Sequence, residues 1–236
     1  MANTFFNFKQ FSVSQEKCAM KVGIDGVLLG AWTSINDAKK ILDIGTGTGL
    51  ISLMLAQRSL AEITAIDIEQ NAVIQSIENI LNSPWSDRIF VQKISLQDFS
   101  KLSFQKFDLI VSNPPFFVNS LKMPFSDRTT ARHTVLLTHE ELIENSIKIL
   151  SPKGRICIIL PFKEGMNCID FAKQKSLYCS KIVFVYPKPD VPVKRVLLEF
   201  CLDQLNCLES ELYIETSIRH QYTHEFRKLA DEYYLK

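Results

Sequence analysis

The chain has 236 residues, 46% hydrophobic and 22% charged, with a formal net charge of +1. That is enough for one α/β domain with a well-filled core, and the near-neutral balance excludes the strongly basic character of many nucleic-acid binders, so any RNA contact must come from cations gathered on one face. No run is apolar enough to cross a bilayer and no basic-then-apolar leader opens the chain, so a cytoplasmic, membrane-free protein is expected.

The first forty residues place Phe5, Phe6, Phe8 and Phe11 near Lys9, Lys17 and Lys21. This arm, about residues 1–38, either packs on the domain through its aromatics or contacts a substrate. Strand-like and helix-like blocks then alternate. Ile41–Ile44 is a short apolar strand, Leu50–Gln57 a helix, and Glu62–Ile66 a second strand. In Gln70–Leu81, Val73, Ile77, Ile80 and Leu81 share one helical face. Ile89–Ile94 and Phe107–Ser112 are the next strands. Thr138 caps a helix running to Leu150, and Glu141 completes a capping box. Gly154–Leu160 is the fifth strand. Alternation of this kind means a parallel sheet wound on both faces.

The end reads differently. Lys181–Tyr186 and Val193–Leu202 are joined by a proline-rich segment, Pro187–Pro192, too short for a crossover helix, so these strands must be antiparallel. The expected fold is therefore α/β, doubly wound around seven strands, mostly parallel with a C-terminal antiparallel hairpin. It is expected to form one domain over residues 1–236, with a substrate-side tail over about 217–236. The six cysteines form no Cys-x-x-Cys pair and lie mostly in apolar segments, so they read as reduced, buried thiols, with no metal site.

Between the first strand and first helix lies Asp43-Ile44-Gly45-Thr46-Gly47-Thr48-Gly49. The glycines allow a tight turn and close approach of backbone to ligand. The spacing is not that of dinucleotide sites. Asp43 directly before the loop would repel a pyrophosphate but favour a cation, and S-adenosylmethionine carries both a sulfonium and an ammonium. Asp67, 22 residues after Gly45 and followed by Ile68, can accept hydrogen bonds from ribose hydroxyls. Asp98 is a candidate for the adenine amine, with Leu96 or Phe99 against the ring.

Asn113-Pro114-Pro115-Phe116 follows the fourth strand directly and is the most specific feature of the chain. Ligands in such sheets lie beyond the carboxyl ends of the strands, so this turn faces the glycine loop, and its prolines hold it stiff. A ring-bound amine is a poor nucleophile because its lone pair is delocalised. The Asn113 side-chain oxygen and the Pro114 carbonyl can accept its two hydrogens and localise that lone pair for in-line attack on a sulfonium methyl. Phe116 can stack on the ring, and Pro115 lies beside it. No metal is required.

Together these motifs resemble the class I amino-methyltransferases, with their Rossmann-like sheet. Among them, the chain resembles one bacterial family over nearly its whole length: the tRNA1(Val) adenine-37 methyltransferases. The resemblance is carried further by Phe8–Phe11, Met20–Trp32, Ala131–Thr134 and Tyr222–Phe226, with Ile24 standing where that family commonly has Thr. It implies N6-methylation of an adenine in tRNA with S-adenosylmethionine as donor, by a monomer. It also implies that Lys21, Val22 and Asp25 help close the cofactor pocket, and that Arg132 and His133 lie near the target base or its phosphates. Two alternatives use the same turn: methylation of a protein glutamine, and methylation of adenine in ribosomal RNA or DNA.

Overall fold

The central strands are apolar on both faces, and such strands persist only where both faces are covered. The structure is a computed structural model that describes residues 4–114 and 137–235. A short antiparallel hairpin, β1 (Phe5–Asn7) with β2 (Ser12–Ser14), stands apart from the main sheet. The main sheet contains β3 (Lys40–Ile44), β4 (Glu62–Asp67), β5 (Ile89–Lys93), β6 (Phe107–Ser112), β7 (Leu150–Pro161), β8 (Tyr178–Tyr186), β9 (Arg195–Cys201) and β10 (Leu208–Tyr213). Their order is β10-β8-β9-β7-β6-β3-β4-β5.

The proline-rich connection does impose an antiparallel pair, with Val185 opposite Arg195. However, β9 inserts between β7 and β8 and is antiparallel to both, so it alone is reversed while β8 and β10 run with the parallel set. The sheet has eight strands rather than the seven expected. The eighth, β10, is an edge strand, Leu-Glu-Ser-Glu-Leu-Tyr, whose first four residues are exposed. It carries no buried apolar run to signal it.

One face is covered by α1 (Ile24–Trp32), α2 (Leu50–Arg58) and α3 (Gln70–Leu81), around a core including Val27, Leu29, Leu53, Met54 and Ile80. The other is covered by α4 (Leu96–Leu102), α5 (His139–Ile149) and α6 (Phe162–Gln174), packed through Phe99, Leu142, Ile143, Cys168 and Ala172. Thr138 and Glu141 form the reciprocal capping box at the start of α5.

The last helix, α7 (His224–Ala230), joins the first face. The aromatic arm packs there too. Phe8 and Phe11 are buried and stack at 4.7 Å, Phe8 bridges to Tyr234, and buried Tyr233 donates its hydroxyl to the Met54 carbonyl. All six cysteines are free. Cys18, Cys157 and Cys168 are buried as expected, but Cys179 and Cys201 are half-buried and Cys207 is exposed. Among the described residues no helix is long and apolar enough to cross a membrane.

Candidate active site

Strand register sets the site. Ser112, Asn113 and Pro114 leave the end of β6. Ser112 donates its hydroxyl to the Ile44 carbonyl at the end of β3, so the two strand ends are tied directly. On one side of them β4 ends at Asp67. On the other, Pro161 at the end of β7 lies opposite Arg195 at the start of β9. The ends of β3, β4 and β6 and the start of β9 line a cavity of about 660 Å³, a size suited to a small-molecule ligand.

The glycine loop forms one wall. Gly45 and Gly47 have φ of +70° and +56°, conformations that favour glycine. A Cβ at Gly45 would meet nothing within 4 Å, so the loop turns bare backbone toward open space. Gly49 does not line the cavity. It starts α2 at φ +83°, and a Cβ there would come within 3.3 Å of Ser76 Cβ, so its role is helix packing. Asp67 holds the loop in shape: its carboxylate accepts from the backbone amides of Gly47, at 2.9 Å, and Glu69, at 3.0 Å. Thr46 and the half-exposed Ile68 line the same wall.

Asp43 sits behind the loop, fully buried. One carboxylate oxygen accepts the hydroxyls of Thr46 and Ser52, each at 2.7 Å, and the other has no partner among the described residues. Burial pushes its pKa up to about 6, against the opposing pull of the two hydroxyls. A cation resting against the cavity side of the loop would favour its ionised form.

Asn113 lines the cavity beside Pro114, and its side-chain oxygen is buried without a hydrogen-bond partner among the described residues. Such an orphan is rare in folded proteins and costs about 1–3 kcal/mol unless another group supplies the missing hydrogen bond. Gly26 lies alongside: a Cβ there would crowd Leu50 Cδ2 at 3.1 Å and stand in ordinary contact with Asn113 Nδ2 at 4.0 Å.

The strap from Lys17 to Gly26 closes the cavity from above the loop. Polar groups of α3 hold its approach: Asn79 pairs with both the amide and the carbonyl of Ser14 and also donates to the Thr48 carbonyl, while Gln75 accepts from the Lys17 amide. Lys21, Val22 and Asp25 line the cavity, and the Asp25 carboxylate takes the Arg195 Nε at 2.9 Å.

The methyltransferase small domain family model matches residues 26–169. A tRNA1(Val) (adenine(37)-N6)-methyltransferase of Parabacteroides distasonis is 48% identical over 237 residues, covering all of both chains. The protein of that name from Trichodesmium erythraeum is 44% identical, again over both full lengths. The chain belongs to this methyltransferase family. Among solved structures, a predicted O-methyltransferase of Agrobacterium tumefaciens shares the fold at TM-score 0.69 and 18% identity, over 89% of this chain and 96% of the other. A ribosomal protein L11 methylase of Lactobacillus delbrueckii does so at 0.58 and 16%, over 81% and 84%.

In this methyltransferase, not every residue expected at the site reaches it. Asp98 does not line the cavity. It lies in the exposed first turn of α4, where Ser95 donates to it and Lys101 pairs with it, and these contacts hold its carboxyl below the usual range. Its neighbours Leu96 and Gln97 line the cavity instead, whereas Phe99 is turned into the core. Pro115, Phe116, Arg132 and His133 lie outside the described residues. Among the lining residues that carry no motif are Cys18, Asn71, Gln97 and Arg195. Arg195 had one available signal, its place at the start of a strand after the proline-rich connection, level with the end of β7.

Proposed function

We propose that the protein transfers a methyl group from S-adenosylmethionine to the exocyclic N6 amine of an adenine in tRNA, namely adenine 37 of tRNA1(Val). The observation that carries this reading is the Asn113 oxygen, buried and unpartnered among the described residues, in the wall of a cavity whose opposite wall is bare glycine backbone. Full-length relatives at 44–48% identity bearing that enzyme name support the choice of nucleic acid and position.

Asp67 would take the ribose hydroxyls through lone pairs left after it accepts two amides. Gly45, Thr46 and Gly47 would meet the donor through backbone, with Lys21, Asp25 and Ile68 completing the enclosure. When bound, S-adenosylmethionine supplies an electrophilic methyl group on a positively charged sulfur. Asn113 Oδ1 and the Pro114 carbonyl accept the two amine hydrogens, pulling the nitrogen out of conjugation with the ring. The ring of Pro114 fixes the backbone there beforehand, so little reorganisation is needed as charge develops. Phe116 would stack on the base, and Arg132 and His133 would approach it or its phosphates. A cytoplasmic location follows from this substrate.

The test is nucleoside mass spectrometry of tRNA treated with the enzyme and isotopically labelled donor. Label is expected in N6-methyladenosine. Its absence, or label in a release-factor glutamine instead, would overturn the reading.

A further inference from the structure

A second cluster of reactive side chains lies at the end of the sheet away from the cavity. β8 and β10 run with the parallel set, so their first residues stand opposite the strand ends that line the site. Cys179 is the second residue of β8, and Cys207 directly precedes β10. Leu208 pairs with Lys181, which brings Cys207 level with the residues just before Lys181. There β8 carries a bulge: its register against β9 shifts between Cys179 and Lys181, with Ser180 as the extra residue. Ser180 turns its hydroxyl to the carbonyl and the carboxylate of Glu199. Bulges re-aim the side chains around them, and here the sulfurs of Cys179 and Cys207 meet at 3.6 Å.

The two thiols differ in access. Cys207 is exposed and Cys179 is half-buried. Burial, and then the adjacent Cys207 sulfur, push the Cys179 thiol above its ordinary range. An external reagent therefore meets Cys207 first, with Cys179 held protonated behind it. An exposed thiol with a second thiol in contact turns attack on a small disulfide into closure of an internal one. The remaining cysteines are placed otherwise: Cys18, Cys157 and Cys168 are buried, and Cys201 donates to the Asp203 carbonyl. The strand that Cys207 leads into gives closure a consequence. β10 is an edge strand hydrogen-bonded to β8, its first four residues exposed, and such a strand opens more readily than the inner strands of a sheet.

We propose that Cys179 and Cys207 are an oxidation site that a low-molecular-weight disulfide closes into a bridge, fastening the start of edge strand β10 to β8. The Cys207 thiol loses its proton, and its sulfur attacks one sulfur of the reagent. A mixed disulfide forms, and the released reagent sulfur takes up that proton. Cys179 then gives up its proton, and its sulfur attacks the Cys207 sulfur. The bond from Cys207 to the reagent breaks, the second reagent thiol leaves with that proton, and the protein disulfide remains. Two cysteine thiols are oxidised while one reagent disulfide is reduced to two thiols. The sulfurs approach by about 1.5 Å to reach bonding distance. Exposed bridges of this kind are readily reduced again, so the fastening is reversible. The inference does not depend on the identity of the methyl acceptor.

The test is equilibration of the full chain in glutathione buffers of rising oxidised fraction, followed by acid quench, mass spectrometry and non-reducing peptide mapping. The parent should lose two hydrogen masses and yield one linked peptide pair, joining Cys179 to Cys207. Cys179→Ser should stop at the mixed disulfide, with one glutathione on Cys207, whereas Cys207→Ser should carry none on Cys179. Amide hydrogen exchange across β10 should slow at least about 10-fold when the parent is oxidised, and recover when a reductant is added. A parent that stays at the mixed disulfide, links either cysteine to a different one, or keeps both thiols in fully oxidised glutathione would overturn the pair. A bridge that forms while β10 exchange is unchanged would overturn its fastening role. Both measurements on the parent decide the matter whether or not either serine variant folds.

Discussion

The two sides of the cavity are built by different means. The donor side, at β3 and β4, comes from neighbours in sequence: Asp43, the glycines and Asp67 lie within 25 positions and fix one another by hydrogen bonds from Thr46, Ser52 and the Gly47 amide. The amine side, at β6, β7 and β9, is assembled over long range, with Arg195 pairing to Asp25 across 170 positions and Gly26 packing against Asn113. On the proposed reading, short-range geometry shapes the donor pocket of this chain, and long-range assembly adds the acceptor chemistry beside it.

If that division is right, the two sides fail separately. The largest effect is expected on the amine side. Asn113→Ala should lower the methyl-transfer rate about 100- to 1,000-fold, the scale seen when one preorganised hydrogen-bonding group is removed from an active site. Calorimetric affinity for S-adenosylhomocysteine should stay within about 3-fold. A variant that lost both together would show that the two sides are one unit. Asp67→Ala should do the reverse. Loss of hydrogen bonds to a charged acceptor costs about 1.5–3 kcal/mol each, so donor affinity should fall about 10- to 100-fold, with a smaller change in rate at saturating donor.

This division also explains what could be read from the sequence. Gln70–Leu81 and Phe107–Ser112 are found with the expected bounds, because helical spacing and an unbroken apolar run are local signals. Of the four apolar residues expected on one helical face, however, only Val73 and Ile80 are buried. Ile77 and Leu81 are exposed, while Gln75, Ser76 and Asn79 are buried through contacts with the arm and the glycine loop. The glycine loop and the Asn-Pro-Pro turn are equally local. What stayed hidden depended on tertiary context. The helix α6 runs through Gly165, a poor helix former that packs so tightly that an added Cβ would fall 2.1 Å from Val196, a contact that exists only once β9 is in place. The edge strand β10 has no buried run, and the role of Arg195 exists only when β9 is set beside β7 and α1 is folded over both.

A smaller effect should come with pH. Asp43 has its pKa raised to about 6 in the fold, against an ordinary value of 3.8, so the folded state holds this proton more tightly than the unfolded chain. Its contribution to stability is fully present below about 4 and is lost as pH rises to about 6. The melting temperature of the unliganded parent should therefore fall over that window relative to Asp43→Asn, which has no such proton to lose. Donor binding should run the other way. A cation against the glycine loop favours ionised Asp43, so affinity for S-adenosylmethionine should rise with pH through about 6, more steeply than affinity for S-adenosylhomocysteine, which lacks the sulfonium charge. A parallel pH profile for the two ligands would place the sulfonium away from Asp43 and remove the electrostatic part of the donor-side argument.

The smallest effect is the sharpest test of where the donor side ends. Sequence position alone makes Asp98 the acid that would meet the adenine amine of the donor. The fold spends that carboxylate on Ser95 and Lys101 at the exposed start of α4 and turns Gln97 toward the cavity. Asp98→Ala should thus leave donor affinity within about 2-fold of the parent, as surface changes usually do. Gln97→Ala should weaken it measurably, with S-adenosylhomocysteine and its inosine analogue, which replaces the amine by a carbonyl, distinguishing the two. The Gln97 amide offers both a donor and an acceptor, so it can serve either ring edge, whereas a carboxylate prefers the amine. If Asp98→Ala instead erased the preference for adenine over hypoxanthine, α4 would have to rotate on donor binding, and the donor side would not be the preformed half of the site.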